Sequence, residues 1–473
     1  MAEYKKKNVR LGVKRLNTGK RTDDQAARRA ADAAQRERLM NERLMRETDS
    51  IPMKQRRQTT GKPQKPPEKR YPQRRTVRTS GTHRFAVVEG RKRIKARNRN
   101  ILLSLIALLI VTLILLSVAT PVGISEFIVN GAAKMGGGSG YPIELAEDST
   151  KVIETQDGVT TVVGSANCEA FNQNGKRIFY RQHGYLNPAL SQSESRFVLY
   201  DRGSTGYSIH NMDKVLYTGE LENKISAAAI GRNGTVAFAT SSVEYKSQLA
   251  VMDAKCENIF NWYSADAELS AVAVSNNGKR IAAATMAATG GKYVSTLYIF
   301  NTKKDAPQTT LTLDDSMVLS IRPVGTKAIL ALCNNQALLL NWDGETLYTY
   351  KPVGTMQLCK VEDTHVLFAE SVSGNSGGSI ITLVNKKGES EGSFTVSETL
   401  RDVAYSNGAI YALGDHAVTT YTCCGNVAAS TPCDFSVTNL LGLQKDGVLA
   451  LGFGELAQIK AVSNSRLKEA DGR

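Results

Sequence analysis

Residues 101–120 read ILLSLIALLIVTLILLSVAT, a run without a single charged side chain. A helix rises about 1.5 Å per residue, so twenty residues cover roughly 30 Å, the hydrocarbon thickness of a bilayer. Ser104, Thr112 and Ser117 interrupt the run only chemically, because their hydroxyls return to backbone carbonyls inside a helix. A cleaved signal peptide would carry a short basic segment ahead of its apolar core, whereas a hundred residues precede this one. The expectation is one transmembrane helix. Its flanks set the direction. Between residues 81 and 100 stand Arg84, Arg91, Lys92, Arg93, Lys95, Arg97 and Arg99, against Glu89 alone. Between residues 121 and 140 stand only Lys134 and Glu126. Positive charge stays on the cytoplasmic side, so the N-terminal part is expected in the cytoplasm and the remainder outside the plasma membrane.

Charge divides the same way. Residues 1–100 hold 31 Lys and Arg against 10 Asp and Glu, and the rest hold 29 against 35, which together give the net +15. The first hundred residues are poor in large apolar side chains and cannot bury enough surface to offset the entropy of ordering. A basic, largely disordered tail is expected there. One helix is possible over residues 23–47, where Thr22 and Gln25 form a capping box. Its basic block would be drawn to anionic lipid head groups. Nucleic acid is the weaker partner, since aromatics are sparse and no recognition fold is visible. Residues 121–140 are Gly-rich and read as a flexible linker.

From residue 141 the pattern changes to short apolar runs with turn residues between them. The runs recur as a unit. ISAAAIGRNGTVAFAT from Ile225 and LSAVAVSNNGKRIAAAT from Leu269 each give a strand, an Asn-Gly turn and a second strand. Asn-Gly supplies the positive φ values of a tight hairpin. The same turn falls at Gly158, Ser195, Gly234, Gly278, Gly325, Thr364, Gly408 and Gly447, at a mean spacing near 41 residues. Four strands in that length is the grammar of a β-propeller blade. The fold expected for residues 141–462 is all-β, an eight-bladed propeller. The last unit lacks a fourth strand, and residues 141–145 (YPIEL) stand free to supply it and hide the edges of the ring. The alternative is seven blades, with residues 168–182 as the closing piece. Residues 463–473 read as a polar tail.

GGGSGYPI (residues 136–143), YRQHGYLNPAL (180–190) and RFVLYDRGSTGYSI (196–209) resemble a bacterial family of unknown function. The resemblance runs from about residue 121 to 460 and implies a single-pass membrane protein with an extracytoplasmic propeller, in anaerobic Gram-positive bacteria. More distantly, the blades are similar to those of quinoprotein dehydrogenases. No activity comes with it.

The residues themselves offer little chemistry. Residues 374–378 (GNSGG) look like the nucleophile loop of trypsin-like proteases, but His183, His210 and His365 stand in contexts unlike that family's base. Two tryptophans, Trp262 and Trp342, are too few for repeated quinone-docking motifs. No catalytic residue, metal site or cofactor is expected. The seven cysteines have no C-x-x-C spacing that would bind zinc. Cys333 and Cys359 sit in strands as expected buried thiols, and a Cys424–Cys433 or Cys423–Cys433 disulfide across a hairpin is possible. His183, Tyr185 and Asn187 between two units, with Asp201 and Arg202 in the next, form a cluster that either binds a ligand or organises loops. The function expected is a non-enzymatic binding or scaffold module at the cell envelope, taking a protein, peptide or glycan. A transmembrane sensor and a propeller enzyme are the alternatives.

Overall fold

In the computed structural model, residues 101–112, 122–372, 377–433, 436–444 and 446–472 are described. Residues 101–112 are helical with every side chain exposed. Among the described residues no helix is long and apolar enough to cross a membrane. The predicted span falls only partly within them, and the predicted tail with its helix at 23–47 lies outside them. So do residues 374–376 of the protease-like loop.

Residues 143–459 form eight four-stranded antiparallel sheets. Blades 1 to 7 take residues 152–182, 188–220, 225–264, 268–314, 318–350, 355–396 and 402–432. The first strands of successive blades touch one another and so line the axis of the ring. Blade 8 is made of Asn439–Leu443, Gly447–Leu451 and Glu455–Ile459, completed by Ile143–Glu144 from the start of the domain. Ile143 faces Leu456 and Glu144 faces Glu455 in that closure. The eight-bladed expectation holds, including its closing strand. Residues 168–182 are no closing piece: they belong to the third and outer strands of blade 1.

Burial follows the layers. Second strands such as Val159–Val163 and Ala409–Leu413 are buried along their whole length, because blades cover both of their faces. Alanines there (Ala237, Ala239, Ala282, Ala284, Ala412) have no exposed surface and let neighbouring sheets approach. Outer strands alternate, as in Asn258–Ser264, because one face meets water.

Each expected first-to-second turn is present. Asp157-Gly158 and Asn407-Gly408 both hold paired positive φ values, the backbone a two-residue hairpin needs. First and third strands run in the same direction, so their turns share one end of the ring. That end is the near face. The second-to-third turns and the connections between blades occupy the opposite, far face.

Two helices cover the near face. α1 (Ile124–Met135) falls within the predicted Gly-rich linker 121–140, so more than half of that linker is helical. Asn130 donates to the Ser195 carbonyl, Lys134 bonds Asp157 at 2.5 Å, and Arg196 clasps both carboxylate oxygens of Glu126 at 2.7 and 2.8 Å. Asn172 of blade 1 donates to the carbonyls of Ala133 and Gly136. α2 (Asn464–Ala470) replaces the predicted polar tail. Its buried Leu467 joins the blade 7 core, and Asp471 accepts from Thr422 and Asn426.

Candidate functional site

The axis of the ring is filled with charge. Glu154 on the first strand of blade 1 meets Arg322 on the first strand of blade 5, at 2.9 Å. Those blades stand four places apart in a ring of eight, so the bond crosses the channel from side to side. Glu154 also accepts from the Gln192 backbone of blade 2. The opposing Glu154 carboxylate raises the pKa of Arg322, whose side chain is 55% exposed. Lys360 of blade 6 pairs with buried Asp402 of blade 7 at 2.8 Å and donates to the Leu440 carbonyl of blade 8. Asp402 accepts from the Leu440 backbone in turn. One lysine and one aspartate thereby stitch three blades together.

A cavity of about 270 Å³ opens beside this network among the near-face turns. Glu362 lies in it and accepts from the Gly442 backbone at 3.3 Å. Burial raises the Glu362 carboxyl to about 7, against the pull of Lys360 and the Gly442 N–H, and Asp402 and Asp363 add to the rise. Asp363 accepts from Gln156 of blade 1 and Gln444 of blade 8. His365 packs on Tyr405 at 4.3 Å and bonds Glu391 and Thr364. The mouth is acidic and its polar groups are largely engaged with one another.

A second cavity of about 270 Å³ lies on the far face between blades 1 and 2, lined in part by Arg181, His183, Tyr185, Ser208 and His210. His183 and Tyr185 stack at 5.5 Å, and the Tyr185 backbone N–H donates to His183 Nδ1. Tyr185 Oη reaches Ser208 Oγ at 3.3 Å, and Ser208 Oγ reaches His210 Nε2 at 2.7 Å. His210 is fully buried against Phe197 and Phe179. Burial, with a smaller push from Arg181, lowers its pKa to about 3, so the ring is neutral. Its Nδ1 has no hydrogen-bond partner among the described residues.

The five residues singled out in the sequence divide into two groups. His183 and Tyr185 line the far-face cavity. Asn187, Asp201 and Arg202 form a bracket beside it. Asp201 accepts from the Asn187 backbone at 2.7 Å, and Arg202 and Asn187 exchange bonds through their carbonyls. That bracket organises a loop. Ser208 and His210 carry no loop context to mark them as part of a site, because they sit inside a strand, as do Glu154, Arg322, Lys360 and Glu362. A charge in the middle of an apolar first strand, as in VIETQ or TMQLCKVE, was the available signal.

The cysteine expectation needs correction. None of the seven cysteines forms a disulfide. Cys424 lies in the turn before Val427–Pro432 and Cys433 follows that strand. A strand advances about 3.3 Å per residue, so six residues hold the two roughly 20 Å apart, far beyond the reach of a disulfide. Cys333 is buried as expected, while Cys359 is partly so.

Comparison with solved structures finds a likeness to the computationally designed Ika8 protein, at 10% identity and a TM-score of 0.50, covering 67% of this chain and 98% of that one. BamB from Moraxella catarrhalis is similar at 14% identity and a TM-score of 0.45, covering 68% and 98%. At these identities the likeness concerns the fold alone. No curated protein matches. A family match covers residues 138–460, the whole ring: the chain belongs to the family of unknown function DUF5711.

Proposed function

We propose that the chain is a single-pass plasma-membrane protein whose propeller stands outside the cell and binds an envelope protein, peptide or glycan without catalysing a reaction. The propeller fold is compatible with a binding or scaffold module. One observation carries the choice of surface. Among the described residues of the ring, the large apolar side chains more than 70% exposed are Leu186, Val243, Val353 and Phe453. All four stand on far-face loops, two between blades and two between second and third strands. They are spread around that face, and their confinement to it favours it as the side open to a partner. The near face bears α1 and α2 and its mouth is tied up by Asp363, Gln156 and Gln444. Orientation rests on the arginine-rich flank before residue 101 and on the two sparse charges after residue 120.

A photo-crosslinking residue placed at Leu186 or at Phe453 in growing cells tests the surface. Both positions are expected to capture one and the same adduct, and Val427 on an outer strand is expected to capture none. Equal capture at Val427 overturns the far-face assignment. Protease treatment of intact, wall-stripped cells tests the topology: the ring is expected to be shaved and residues 1–100 protected. The reverse pattern overturns the orientation.

A further inference from the structure

α1 is built inside out. At 100° per residue, Glu126, Asn130, Ala133 and Lys134 fall within an arc of about 100°. This arc faces the ring: Glu126 holds Arg196, Asn130 holds Ser195 and Met212, Lys134 holds Asp157 and Glu194, and the Ala133 carbonyl accepts from Asn172. The flank beyond Lys134 and the opposite side carry Phe127, Ile128 and Met135, which are 55%, 59% and 78% exposed. A helix docked on a water-soluble domain does the reverse, turning its apolar stripe inward and its charges to water. Here the ring takes the polar stripe and the apolar stripe is left outside.

The medium that suits this outward stripe follows from chain length. Residue 120 ends the apolar run and residue 124 begins α1. Four residues reach at most about 14 Å. The interfacial layer on each side of the hydrocarbon core is several ångströms deep, and amphipathic helices settle roughly 5–10 Å into it. If the run crosses the bilayer, α1 begins within reach of the outer head groups.

We infer that α1 is an interfacial helix: its Phe127, Ile128 and Met135 face enters the outer leaflet, while Glu126, Asn130 and Lys134 hold the near face of the ring against the membrane. The inference rests on the membrane-anchored reading. It assigns α1 the role of a collar that fixes the orientation of the ring, with the far face directed away from the lipid.

The full chain in phosphatidylcholine vesicles with dibrominated acyl chains tests it. Phe127→Trp and, separately, Met135→Trp supply the probes, and the parent protein corrects for buried Trp262 and Trp342. Brominated chains are expected to quench both added tryptophans at least twofold. Val353→Trp, on the far face, is expected to keep its emission. Co-flotation with the vesicles is read in the same tubes. Failure to float overturns the anchor and the collar together. Flotation with no quenching at either α1 position overturns the collar and leaves the anchor standing. Flotation without quenching, but with cross-links between copies through α1, overturns the collar in favour of a second chain as its cover.

Discussion

The turns between third and fourth strands show how single residues phase the ring. Asn172, Asn211, Asp253, Asn301, Asn341 and Asn385 each end a third strand or follow it directly, and each side-chain oxygen accepts from backbone N–H groups two to four residues on. The Asn or Asp side-chain oxygen replaces the backbone partner that the turn denies these groups. Three of these turns then place a glycine at positive φ, at Gly175, Gly344 and Gly388, and blade 3 puts Cys256 there at φ 64°. Glu362 shows the opposite case, a residue whose setting works against it. Its folded pKa near 7 lies above the ordinary carboxylate value, so folding binds a proton that the unfolded chain has lost between about pH 4.5 and 7. The sign is therefore unfavourable as pH rises: no penalty below 4.5, and the full penalty above 7. Glu362→Gln is expected to stabilise the ring at pH 8 by roughly 3 kcal/mol, taking 1.36 kcal/mol per unit. Thermal unfolding of the two proteins is expected to coincide at pH 4.5 and to separate at pH 8.

Strands were legible as elements because period-2 burial and hairpin turns repeat eight times, and each repetition reinforces the others. α1 was not legible. EFIVNGAAKM followed by GGGSG averages to a flexible composition, and its apolar residues point outward, so the stripe that marks a docked helix is inverted. Its attachment is ionic rather than apolar. The Glu126 and Arg196 side chains are 10% and 6% exposed, and a charge buried without its partner costs about 3 kcal/mol or more. Arg196→Met is expected to release α1, seen as faster proteolysis within residues 122–140 while the rest of the ring resists. Adding Glu126→Gln to Arg196→Met removes the orphaned charge and is expected to slow that cleavage again. The far-face cluster was half legible for a related reason. Loop residues such as His183 and Tyr185 advertise themselves, whereas Ser208 and His210 are disguised by the strand that carries them.

At the scale of the molecule the ring has two unlike ends and a cross-braced axis. The Glu154–Arg322 bond joins opposite blades, and Lys360 with Asp402 joins neighbours, so the ring is braced against shear. Both polypeptide ends of the ring leave from the near face, beside α1 and α2. Closure depends on two residues of strand, Ile143 and Glu144. Ile143→Pro removes a backbone donor from that strand, a hydrogen bond worth about 1 kcal/mol, and is expected to destabilise the closure. It also uncovers the edge at Glu455–Ile459, so concentration-dependent dimers are expected by light scattering where the parent stays unchanged.

That closure also sets a timetable. Ile143 is synthesised among the first residues of the ring and its partner Leu456 among the last, 313 positions later. Contacts so distant in sequence form late, after the intervening chain has been ordered. Seven blades can assemble in turn as the ribosome delivers them, but the circle stays an open arc until the final strands emerge. A message cut short anywhere before blade 8 therefore yields a chain with two bare edges, and quality control has an unfinished circle to recognise.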